Sequence, residues 1–156
     1  MSIFAIRDAL VQLLATANTA HAFPMTIGQI DARWAPTWQL SDIAALRVGV
    51  IARTETRTRL TRSGDDLGPT VDVALMHHLP ATVDIDSTAA LDGYATMAQA
   101  LAEVIAGSPL PGLPDVRLAS LVHEPLIDAD KLVQHRCIFS LITTTWRYLA
   151  AVRVTP

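Results

Sequence analysis

Between Leu46 and Leu79, polar and apolar residues alternate with a period of two, the spacing of β-strands whose successive side chains point to opposite faces. Two runs carry the pattern. In the first, Leu46 to Arg62, the odd positions are Arg47, Gly49, Ile51, Arg53, Glu55, Arg57 and Arg59, and the even ones are Val48, Val50, Ala52, Thr54, Thr56, Thr58 and Leu60. Unbroken alternation puts Arg47, Arg53, Arg57 and Arg59 on one face, with Arg62 beyond them. In the second, Thr70 to Leu79, Val71, Val73, Leu75 and His77 alternate with Asp72, Ala74, Met76 and His78 until Pro80 ends the run. The segment Ser63-Gly64-Asp65-Asp66-Leu67-Gly68-Pro69 between them reads as a turn. Together they predict a β-hairpin over residues 46–79. Its first strand would reach about 50 Å, longer than a small core needs, so its outer half is expected to protrude toward another chain.

Elsewhere the period changes to that of a helix. Ile3, Ile6, Leu10, Leu13 and Leu14 share one face of a helix over residues 3–16. Ala90, Tyr94, Met97, Leu101 and Val104 do the same over 87–106, with Asp86 or Ser87 to cap its start and Gly107 to end it. Residues 108–114, with three prolines and a glycine, form a stiff connector. Strands are expected at 116–122 and 137–149, a helical turn at 128–134, a turn at 42–46, and a strand or arm within His21–Pro36. This order predicts a single α+β domain over 1–156, with an antiparallel sheet and helices packed on one face.

Composition adds a reason to expect partners. The chain is 51% hydrophobic with mean hydropathy +0.33 and only 17% charged, against about 25% in ordinary soluble domains. Apolar surface covered by copies of the same chain accounts for this, as does an Ala-rich packed core. A net charge of −3 gives no global field for nucleic acid or an anionic membrane, so any basic role is local. Lys131 is the only lysine, and arginine suits fixed, bidentate partners. The lone Cys137 excludes an intrachain disulfide and should be a small buried hydrophobe. Residues 9–22 imitate a secretory leader, but Asp8 offsets Arg7 and Gln12 interrupts the apolar core, so a helix is the better reading. No run approaches the about 20 apolar residues of a membrane span.

Motifs for chemistry are lacking: no glycine-rich phosphate loop, no HExxH, no GxSxG and no paired cysteines. We therefore assign no catalytic residue, cofactor or metal, and read the chain as a non-enzyme. His77 and His78 point to opposite faces of a strand and cannot share an ion without a bulge. Asp65 and Asp66 belong in a turn satisfying local backbone groups, and Asp84 and Asp86 favour the dipole of the following helix. Trp34 and Trp38 bracket Pro36 either as an aromatic anchor for a partner or as cover for the open face of the sheet. The arginines either guard a sheet edge, meet a protein partner, or meet phosphates.

The opening helix Ile3 to Leu14, the hairpin Leu46-Arg-Val-Gly-Val-Ile-Ala-Arg53 to Val71-Asp-Val-Ala-Leu75, the helix at 87–106, and the closing Leu121-Val-His-Glu-Pro-Leu126 and Cys137-Ile-Phe-Ser-Leu-Ile-Thr-Thr-Thr-Trp-Arg147 together resemble the tail terminator, or tail-completion, proteins of long-tailed bacteriophages. The resemblance covers roughly residues 1–150 and is one of pattern, least matched over His21–Trp38. It implies a homohexameric ring, without cofactor, that caps the tail tube and joins it to the head connector. The expected partners are other copies of the chain, the tail-tube protein, the head-tail connector protein and DNA in passage, in the virion tail or neck after assembly in the host cytoplasm. A head-to-tail connector or tube subunit is an alternative. A small enzyme or ligand-binding domain with a pocket near His77, His123 and His135 is another.

Overall fold

In the computed structural model, which describes residues 2–61 and 64–151, the chain forms α1 (Ile3–Thr19), β1 (Gln29–Arg33), a 3-10 turn (Leu40–Ile43), β2 (Arg47–Arg59), β3 (Gly64–His78), α2 (Thr88–Gly107), β4 (Arg117–His123), α3 (Ala129–His135) and β5 (Cys137–Ala151). The strands make one sheet in the order β1-β2-β3-β5-β4. The fold is α+β. One expectation is corrected: β1 runs parallel to β2, so the sheet is mixed and not wholly antiparallel. Residues 34–46 carry the chain back across the sheet between these two strands, and a crossover of that length can join parallel neighbours where a tight turn cannot.

A second correction concerns the hairpin. Residues 64–69, read as a turn, are strand, and Asp65 to Pro69 pair with Arg59 to Glu55 in sequence. Glycine and proline signals misled here because β3 is flanked on both sides. The β3–β5 ladder skips Gly68 and Pro69, where proline has no N–H to give, and resumes in the same register at Thr70 opposite Thr145.

The core lies where α1 and α2 cover one face of the sheet, called here the helix face. Ile6, Leu10 and Leu14 of α1 and Met97, Leu101 and Ile105 of α2 pack with Val48, Val50, Val71, Val73, Leu75, Ile142 and Trp146. The expected three-and-four spacing is what brings these side chains together, and each fully buried aliphatic contributes about 1.5–3 kcal/mol. Caps fix the helix starts: Ser2 accepts from the Ala5 amide before α1, and Asp128 from the Lys131 amide before α3. The opposite, loop face is covered only in part. Trp38 and Ile43, from the 34–46 crossover, pack on Ile51, Ala74, Met76, Cys137 and Phe139. Beyond them Thr54, Thr56 and Thr58 are exposed and Thr70, Thr143 and Thr145 half-buried.

Candidate interaction edge

The arginines do not share a face. Between Ala52 and Thr54 the β2–β3 register shifts, leaving Arg53 as an extra residue, a β-bulge. Before it, Arg47 stands opposite Met76 on the loop face; after it, Arg57 stands opposite Leu67 and Arg59 opposite Asp65, on the helix face. Strict alternation fails because one inserted residue moves every later side chain to the other side. Arg62 lies outside the described residues.

Each of the four described ladder arginines meets a carboxylate of its own chain. Arg47 lies 3.6 Å from Asp31, Arg53 3.6 Å from Asp72, Arg57 3.6 Å from Asp65, and Arg59 2.8 Å from Asp65. Asp65 and Asp72 are only 4% and 8% exposed, so these guanidiniums offset the cost of burying two carboxylates in the arm. Asp72 also accepts from the Thr143 hydroxyl at 2.8 Å, and Arg147 pairs with Asp66, holding β3 to β5. Asp65 and Asp66 are thus strand ion-pair partners and not turn residues. Glu55 and Arg57, 4.0 Å apart on the same strand face, remain at the surface.

The two tryptophans separate in role. Trp38 covers the sheet: its ring lies over Gly49, where an added Cβ would sit 2.6 Å from the ring, and Arg33 and Arg47 stack at 4.7 and 6.0 Å from its centroid. Gly49 is the contact surface for the indole. Trp34 is 75% exposed and meets a second exposed ring in edge-on geometry, Phe4 of α1, at 5.6 Å, with Arg7 5.3 Å over Phe4. Phe4 escaped the sequence reading, although an aromatic on the polar side of an amphipathic helix is a visible signal.

Trp34 follows β1 at the point where β1 stops covering β2. β1 pairs with Arg47 to Ile51 alone, and every residue from Arg53 to Arg59 is exposed. Leu60 donates to the Gly64 carbonyl at 3.2 Å, which sets the alternation of the ladder: Glu55, Arg57 and Arg59 turn their amides and carbonyls away from β3. The arm therefore carries an open strand edge with Trp34 at one end and Leu60, 55% exposed, at the other.

The histidines do not form one site. His77 Nδ1 is 2.5 Å from the Tyr94 hydroxyl and Nε2 3.0 Å from the Ala44 carbonyl, so a neutral ring with its proton on Nε2 satisfies both. Burial raises the Tyr94 pKa and keeps that hydroxyl a donor. His123 lies 2.6 Å from the Ser140 hydroxyl, which is buried at 1% exposure, and burial lowers the His123 pKa. His135 lies across the sheet at a cleft of about 520 Å³ between Trp38, Leu40, Met76, Lys131 and Cys137. The Cys137 thiol is buried and its pKa raised by that burial, as expected of a core residue. Among the described residues no group of three His, Cys, Asp or Glu side chains is placed to hold a metal, and no helix is long and apolar enough to cross a membrane. No protein-family model and no curated protein matches the chain.

Proposed function

We propose that this chain is a ring-forming structural subunit of a phage tail, the tail terminator, which closes on the last layer of the tail tube and offers a face to the head connector. The observation that carries the reading is the arm formed by the outer halves of β2 and β3 with the end of β5, whose β2 edge is open. An α+β core with such an arm has the parts a cyclic assembly needs: a compact body and a strand-rich surface for a neighbour. The side chains of Arg57 and Arg59 remain 62% and 65% exposed despite their contacts with Asp65, so they can serve a second partner. Trp34 supplies an exposed aromatic of the kind that anchors interfaces.

The test is to add the purified chain to tail tubes that lack a terminator and image their ends by electron microscopy. A single added layer at one end, with tube growth stopped, is expected. Bare ends that keep growing would overturn the proposal, and open-ended tubes made by the chain alone would replace it with a tube subunit. Reversing Arg57 and Arg59 together is a poor probe of assembly, because it surrounds the buried Asp65 with like charge and weakens the fold itself.

A further inference from the structure

We propose that two copies of this chain pair antiparallel through the open Arg53–Arg59 edges of β2, about a two-fold axis at Thr56. The contact goes beyond the ring reading, since a two-fold pair cannot by itself close a head-to-tail ring; it is the form of the free chain before a tube is met.

The backbone allows it. Glu55 and Arg57 direct their amides and carbonyls outward, and pairing about Thr56 sets Glu55 against the partner's Arg57 and Arg57 against the partner's Glu55. The side chains favour it for the same reason. Both Glu55–Arg57 contacts lie on the helix face, where directly opposed residues of antiparallel strands touch, while Thr54 meets the partner's Thr58 and Thr56 its own copy on the other face. Arg53 would otherwise oppose the partner's Arg59, but the bulge turns Arg53 to Asp72 on the loop face and removes that repulsion.

The neighbouring registers are disfavoured. Sliding one way sets Glu55 on the partner's Glu55; sliding the other way keeps two attractive pairs, Glu55 with the partner's Arg59, but adds Arg57 on the partner's Arg57, a repulsion that the Thr56-centred register lacks.

Light scattering and sedimentation of the isolated chain from micromolar to millimolar concentration, with circular dichroism to monitor the fold, test this. The wild type should be a dimer. Glu55→Arg and Arg57→Glu should each weaken it about tenfold or more, because each turns two attractive pairs into repulsive ones, and the double swap should restore it because both pairs are rebuilt in reverse. A wild type that stays monomeric, single variants that dimerise normally, or a folded double swap that stays weak would each overturn the proposal. Should Arg57→Glu fail to fold, Glu55→Gln against Glu55→Arg decides: graded weakening supports the pairing, and no change overturns it. A monomer that still caps tubes would sink the dimer alone, and a dimer that never caps them would sink the terminator alone.

Discussion

Gly49 and Trp38 illustrate how one missing methyl can set a local structure. An added Cβ at residue 49 would lie 2.6 and 2.7 Å from two carbons of the indole, so Gly49→Ala must displace the ring and disturb its stacking with Arg33 and Arg47. Overpacking of this kind costs about 1–3 kcal/mol, and we expect a lower urea midpoint together with a shifted tryptophan emission. An unchanged midpoint would mean that the 34–46 crossover yields freely. His123 gives a prediction in pH. Its folded-state pKa is lowered by burial beside Ser140, so between that value and the ordinary one, about 6.5, the unfolded chain binds more protons. The His123 contribution to stability is complete above about pH 6.5 and is lost as the pH falls through the folded value. Replacing His123 with Gln should flatten the decline in urea midpoint between pH 7 and 5, and a decline equal to that of the wild type would remove His123 as its source.

At the scale of elements, the bulge at Arg53 decides what the hairpin presents. Ala52 and Thr54 already face opposite sides, against Val71 and Thr70, so deleting Arg53 leaves a regular ladder with every later side chain on its present face. The deletion variant should fold with the same circular dichroism spectrum and lose only the Asp72 contact, a loss of about 1 kcal/mol or a little more, measured by urea denaturation. An unfolded product would show that the bend of the bulge, and not the register, is required. The helices needed no such device. Their apolar spacing placed α1 and α2 within a few residues of their observed ends. β3 is the contrasting case, since Gly64, Gly68 and Pro69 carry turn signals that pairing on both sides overrode.

Taken as a whole, the molecule has one covered sheet face, one half-covered face and an open edge where β1 ends short. The two assembly experiments belong at this scale, because they ask what the arm and Trp34 meet outside the single chain. Within one chain, Arg47 and Trp38 are held in the sheet cover, while Arg57, Arg59 and Trp34 keep surface to offer. Expected candidates thus sort into two groups by burial, a property the order of residues does not carry.

By itself the sequence determined the α+β class, the long strands and helices, the burial of Cys137, and the presence of an arginine-rich arm, because those follow from periodicity and side-chain type. Only the tertiary structure decided that β1 runs parallel to β2, that Arg53 bulges and sends Arg57 and Arg59 to the helix face, that Asp65 and Asp72 partner the ladder, and that the edge beyond Ile51 stays open. The physical reason is common to all four. Strand direction, register and ion pairing are set by residues far apart in the chain, and alternation along one strand records neither its neighbour nor a single inserted residue.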